Sequence, residues 1–129
     1  MFSILIPSYN NLDYLKTCIN SVRKNSTFDH QIIVHINEGT DGSLQYIKEN
    51  NVEYTYSEKN IGMPKALNKA SKLANFDYIL ISHDDFYYCP GWDTEFINEI
   101  KCLFLFTTNW KKRLMKLYCG TIKMATVQL

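Results

Sequence analysis

Asp84 and Asp85 stand side by side behind the apolar, partly β-branched run Tyr78-Ile79-Leu80-Ile81, separated from it only by Ser82 and His83. That run reads as a buried strand. Two like charges at the end of a buried strand repel, and a divalent cation is the simplest compensation, because hard carboxylate oxygens suit Mg²⁺ or Mn²⁺. In an open α/β sheet the C-terminal strand ends face the ligand crevice, where a carboxylate-held metal can clamp a phosphate. The alternative is a solvated Asp-Asp turn ahead of Pro90-Gly91. His83 offers a further metal ligand, or simply packs beside the strand end.

The elements that must position this pair follow from periodicity. Phe2-Ser3-Ile4-Leu5-Ile6-Pro7 is an apolar run stopped by proline, a first buried strand. Ser8-Tyr9-Asn10-Asn11 then forms a turn rich in helix N-caps. Leu12, Leu15, Ile19 and Val22, with Cys18 beside them, recur at helical spacing up to Arg23. Gln31 to Ile36 is a second strand, followed by the polar loop Asn37-Glu38-Gly39-Thr40-Asp41-Gly42-Ser43, in which Asp41-Gly42-Ser43 reads as a structural turn. A short helix over Leu44 to Asn50 and a short strand over Val52 to Tyr56 come next. Pro64 fits the first position of a helix running to Ala74, with Ala66, Leu67, Ala70 and Leu73 inward. After the Asp pair, Trp92 or Asp93 starts a helix that turns Phe96, Ile97 and Ile100 inward. Strands alternating with helices in this way predict a βαβ succession and a mostly parallel sheet.

At 129 residues, with 46% hydrophobic and 21% charged residues, the chain has the size and composition of one soluble globular domain. Its net charge of +1 conceals a split. Residues 1–100 carry all 13 acids against 8 bases, whereas residues 101–129 carry Lys101, Lys111, Lys112, Arg113, Lys116 and Lys123 and no acid. We therefore expect two parts: residues 1–100, and a divergent basic tail over 101–129 that is either part of the same domain or irregular. In that tail Leu103-Phe104-Leu105-Phe106 reads as a strand and Asn109 to Tyr118 as a basic amphipathic helix; Thr121 to Leu129 has no clear period. Trp110 to Leu117 either contacts an anionic membrane surface peripherally or forms a solvated helix covering a sheet edge. Cys18, Cys89, Cys102 and Cys119 form no CxxC pair, and no signal peptide or membrane span is visible, so a cytoplasmic location, with the inner face of a membrane as a variant, is expected. With the basic excess confined to the tail, nucleic acid is not an expected partner.

Taken together, the loops resemble the nucleotide-sugar-binding N-terminal half of family 2 glycosyltransferases, which have the Rossmann-like GT-A fold. The matching pieces are Ile4-Leu5-Ile6-Pro7-Ser8-Tyr9-Asn10, Asn37 to Ser43, Asn60-Ile61-Gly62 with Ala66 and Asn68, and Asp84-Asp85 with Pro90-Gly91-Trp92. The resemblance covers about residues 2–100. It implies that Pro7, Ser8 and Tyr9 pack against base and ribose, with Tyr9 able to stack. It implies that Asn37 or Glu38, standing where the family usually has Asp-Asp-Gly-Ser, hydrogen-bonds base or ribose. Asn60 and Gly62, just ahead of a helix N-terminus, and Lys65 inside that helix would receive phosphate. Asp85 matches the direct metal ligand, with Mn²⁺ or Mg²⁺ as cofactor, and Asp84 the residue reaching sugar or ribose. Trp92 resembles the aromatic that follows the motif, or is a core residue at a helix start.

The resemblance further implies transfer of a sugar from a nucleoside diphosphate, UDP favoured, to an acceptor hydroxyl with inversion. A general base is needed opposite the leaving group, yet the last acid is Glu99, and Asp93, Glu95 and Glu99 match no catalytic position. The base and the acceptor are therefore unassigned. A truncated glycosyltransferase, a nucleotide-sugar-binding module without turnover, and a chain completed by a partner all remain open. A missing acceptor half would leave apolar surface uncovered and favour a homo-oligomer. Receiver-type and flavin-type doubly wound proteins are the other class, but in receivers the acidic pair follows the first strand, where this chain has Pro7-Ser8-Tyr9.

Overall fold

The apolar runs become neighbouring strands of one sheet. A computed structural model describes residues 1–104, 113–118 and 121–124. In chain order they form β1 (Phe2–Tyr9), α1 (Leu12–Asn25), β2 (Gln31–Asn37), α2 (Ser43–Glu49), β3 (Glu53–Ser57), α3 (Met63–Ala70), a 3₁₀ turn (Ser71–Leu73), β4 (Tyr78–Ile81), α4 (Trp92–Phe104), β5 (Arg113–Tyr118) and β6 (Thr121–Met124). The sheet order is β3-β2-β1-β4-β5-β6. All pairs are parallel except β5 with β6. This is the expected Rossmann-like α/β arrangement.

Burial on both faces explains the apolar strands. Phe2, Ile4 and Ile6 of β1 point to one side, joining Leu15, Cys18, Ile19 and Val22 of α1, Ile47 of α2 and Trp92 and Phe96 of α4. Leu5 points to the other side, with Ile33, Ile79, Ala70 and Ala74. Acid in the first turn of α1 (Asp13) and base in its last (Arg23, Lys24) suit the helix dipole. Trp92 is a core residue: its ring lies 4.6 Å from that of Tyr88 and 6.1 Å from that of Phe2.

Several expectations are corrected. Strand one does not stop at Pro7 but pairs with β2 as far as Tyr9. The Leu5 carbonyl faces β4, accepting from Ser82 N at 2.9 Å. Strand alternation turns Pro7 to that same side, past the end of β4, so its missing N–H breaks no ladder bond. The helix expected to reach Ala74 gives way after Ala70 to the 3₁₀ turn, leaving Leu73 37% exposed. Leu103 and Phe104 belong to α4, not to a strand. Residues 113–118, expected as helix, form β5 alongside β4; a short apolar-basic run takes its conformation from the strand it can pair with. Residues 105–112, 119–120 and 125–129, and the side chain of Ile100, lie outside the described ones. Among the described residues no helix is long and apolar enough to cross a membrane.

The connectivity has one functional consequence. From β1 the chain steps to β2 and β3, then returns to place β4 on the other side of β1. The C-terminal ends of β1 and β4 thus flank a topological switch point, where open α/β sheets bind ligands.

Candidate functional site

An open cleft of about 450 Å³ lies at that switch point, within the usual range for small-molecule sites. Pro7 and Tyr9 from the end of β1, Asn37 from the end of β2, Asn60 and Gly62 ahead of α3, and Asp84 after β4 line it. Asn10, Asn11, Met63 and His83 complete the wall.

Side chains cross-brace these loops. The Ser8 hydroxyl donates to Asp84 Oδ2 at 2.7 Å. Asn37 is buried; its Nδ2 donates to the Ser8 carbonyl at 3.4 Å and its Oδ1 accepts from Ile61 N at 3.0 Å. Glu38 sits at φ +62°, and its Oε1 accepts from Asn60 N at 3.3 Å. Asn60 Oδ1 in turn accepts from Gly62 N at 2.9 Å, an Asx turn that sets the entry to α3. Asn10 Oδ1 accepts from Thr40 N at 2.9 Å, tying the β1 loop to the β2 loop.

Asn11, expected among the helix caps, makes no side-chain cap bond to α1. Asp41 caps it from the neighbouring loop instead, accepting from Leu12 N at 2.7 Å as well as from Ser43 N (3.0 Å) and Ser43 Oγ (2.6 Å). Partial burial pushes the Asp41 carboxyl up, but these bonds more than reverse it and hold it below its ordinary value. The reading of Asp41-Gly42-Ser43 as a structural turn agrees with this geometry.

Of the residues singled out in sequence, Pro7, Tyr9, Asn37, Asn60, Gly62 and Asp84 converge on the cleft. Ser8 is buried behind Asp84, and Glu38 braces Asn60. Lys65 and Asp85 are exposed and stand outside the cleft wall. Asn10, Asn11 and Met63 were not singled out as site residues; a polar pair after a strand reads first as helix cap, and a lone Met carries no chemical signal.

The lining is electrically lopsided. Among the described residues Asp84 is its one carboxylate, with Asp85 next in sequence, and no Lys or Arg lines it. A bound cation would offset the repulsion between these carboxylates and an anionic phosphate. Among the described residues no group of three or more His, Cys, Asp and Glu side chains comes together. That donor set suits an ion of the Mg²⁺ type, which is commonly held by one or two carboxylates with substrate phosphates and waters completing its shell.

Comparison with known proteins identifies the family and the fold. The glycosyl transferase family 2 model matches residues 3–103. The chain is 31% identical over 119 residues to the putative teichuronic acid biosynthesis glycosyltransferase TuaG of Bacillus subtilis (strain 168), covering 83% of this chain and 46% of TuaG. It is 32% identical over 89 residues to the putative glycosyltransferase EpsH of the same organism, covering 64% of this chain and 26% of EpsH. Among solved structures, S. aureus TarS 1-349 in complex with UDP-GlcNAc superposes with a TM-score of 0.68 at 26% identity, over 78% of this chain and 31% of that one. The chain thus spans less than half the length of each of these proteins.

Proposed function

The chain belongs to glycosyl transferase family 2, and from that premise we propose that it binds a nucleoside-diphosphate sugar, UDP-linked, in the switch-point cleft for transfer of the sugar to an acceptor hydroxyl with inversion. The observation that carries this reading is the convergence of Pro7, Tyr9, Asn37, Asn60, Gly62 and Asp84 on one cleft. The UDP-GlcNAc complex of TarS, a structural neighbour of this chain, favours uridine as the nucleoside.

Tyr9, 49% exposed at the cleft mouth, presents its ring to the base. Asn37 has both side-chain polar atoms engaged with Ser8 and Ile61, so its part is to hold β1 and the α3 entry loop together, with its second Nδ2 hydrogen left for the nucleoside. Asn60 and Gly62 set the loop at the N-terminus of α3, where free amides favour phosphate, and Lys65 adds positive charge nearby. Asp84, held by Ser8, faces the ribose or sugar. Asp85 would hold a divalent metal, Mn²⁺ or Mg²⁺, which when bound supplies neutralisation of the charge that builds on the leaving diphosphate.

No residue is assigned as general base. Asp93 is buried and fully engaged by Thr27 N, Phe28 N and His30 Nε2. Glu95 and Glu99 lie exposed on α4. Asp93 is thereby committed to the fold and is not free to act as that base.

The test is a calorimetric series with UDP, GDP, CDP and ADP in the presence of Mn²⁺. UDP is expected to bind most tightly. Absence of binding by all four would overturn the donor-site reading, and tighter GDP or ADP binding would overturn the assignment of uridine.

A further inference from the structure

The turn carrying Asp84 contains neither strand nor helix, so its direction is set by contacts from outside. Ser8 holds it from the cleft side. Behind it lies a buried network that the nucleotide site does not itself use. Ser82 N extends the β1–β4 ladder by donating to the Leu5 carbonyl. The His83 carbonyl then gathers three donors, each at 3.3 Å: Cys18 Sγ, Ser82 Oγ and Phe86 N. Into this cluster the Tyr88 hydroxyl donates, reaching Ser82 Oγ at 2.6 Å.

Tyr88 is itself anchored to α1. Its backbone N donates to Ser21 Oγ at 3.0 Å, and its carbonyl accepts from Asn25 Nδ2 at 2.6 Å. Its ring is buried against Trp92. Burial pushes the Cys18 thiol up to about 12 and raises Tyr88 above its ordinary value, so both remain protonated donors at neutral pH.

We propose that Tyr88 is a positioning residue for the nucleotide site: through Ser82 it fixes the His83 peptide, and so the direction in which the Asp84 carboxylate meets Ser8 and the cleft. The ligand in this inference rests on the donor-site reading above; the geometry does not. Outer-shell partners that orient metal ligands commonly cost about 10–100-fold in metal affinity or activity when removed, and Asp84 adjoins the proposed metal ligand Asp85.

Tyr88→Phe removes the hydroxyl and keeps the ring. In titrations of UDP with Mn²⁺, it is expected to raise Kd about tenfold. Ser82→Ala should do the same, and the double variant no more than either, because both substitutions break one link. A Tyr88 that merely supports the fold would lower the unfolding midpoint and leave Kd of the folded protein unchanged, which would overturn the proposal. A second readout needs no ligand: urea unfolding of Ser8→Ala, Tyr88→Phe and the pair. If Tyr88 sets the Ser8–Asp84 contact, the pair's effect on the unfolding constant departs from the product of the single effects by about twofold or more. Simple multiplication would overturn the inference even where UDP binds. Wild type that fails to bind UDP would sink the donor-site reading alone, and the unfolding cycle would then decide the positioning role.

Discussion

The Ser8 hydroxyl donates to Asp84 Oδ2 at 2.7 Å across 76 residues of sequence, joining the end of β1 to the turn after β4. Both ends of that bond flank the switch point, so it fixes the cleft carboxylate Asp84 against the strand that also supplies Pro7 and Tyr9. Ser8→Ala should weaken metal-dependent UDP binding about tenfold while costing about 1 kcal/mol of stability. Ser8→Thr, which keeps the hydroxyl, should restore most of the affinity. Calorimetry with matched urea melts separates the two effects; equal affinity in Ser8→Ala and wild type would contradict the role given to this bond.

Tyr9 tests the stacking role. Its ring is half exposed, so Tyr9→Ala should leave stability within about 0.5 kcal/mol of wild type. Base–aromatic stacking is worth roughly 1–3 kcal/mol, so UDP binding should weaken by about tenfold. Tyr9→Phe should bind nearly as well as wild type. A Tyr9→Ala variant that binds UDP normally would move the base elsewhere.

Acid should destabilise the fold. His30 Nδ1 accepts from Phe2 N at 3.1 Å and its Nε2 donates to Asp93 at 3.0 Å, an arrangement that needs the neutral ring. Burial, outweighing the pull of Asp93, holds His30 below its ordinary 6.5. Burial, with Lys69 nearby, does the same for His35. As pH falls past 6.5, the unfolded chain takes up protons that the folded chain still refuses, so stability drops by up to about 1.4 kcal/mol per pH unit per histidine. The loss for each ring is complete once pH passes below its folded value. Asp93 carries a loss of the same sign below its ordinary 3.8: burial raises its pKa, but the bonds from Phe28 N, His30 and Thr27 N lower it further. Urea midpoints measured from pH 7.5 to 5 should fall, and His30→Gln should flatten the slope. Rising stability on acidification would contradict the assignment of buried neutral rings.

Among the described glycines, Gly39 is the one where a side chain is least tolerable. Its φ is +72°, and a Cβ there would stand 2.7 Å from Ile36 Cγ2 in the core. Gly39→Ala should cost about 1–3 kcal/mol in urea unfolding and weaken UDP binding, because the same loop carries Glu38 to the Asn60 amide. An unchanged midpoint would contradict the tight packing of this loop on β2.

Much of this was legible in the sequence because the signals were local. Three apolar runs gave β1, β2 and β4, a short mixed segment gave β3, and the loops after them carried the family resemblance, which the match over residues 3–103 bears out. What was not legible depends on contacts distant in sequence. Pro7 sits within β1 because β4 ends before it, a fact of pairing rather than of residue type. Asp41 caps α1 from another loop, displacing the local candidate Asn11. Arg113–Tyr118 spaces Leu114 and Leu117 as a helix would, yet it pairs with β4. Leu103 and Phe104 continue a helix whose apolar run periodicity alone could not distinguish from a strand. In the site, sequence named the cleft's Asp84 and its strand-end neighbours, whereas Asn10, Asn11 and Met63 join only through the path of the loops.

The most direct test of the donor-site account is an ¹⁵N-resolved NMR titration of the chain with UDP, then with substoichiometric Mn²⁺. The account predicts that UDP shifts the amides of Tyr9, Asn10, Asn37 and Asn60 to Gly62. Paramagnetic Mn²⁺ should then broaden His83, Asp84 and Asp85 first, and Asp85→Ala should abolish that broadening. Shifts centred on another face, or broadening that Asp85→Ala leaves intact, would contradict it.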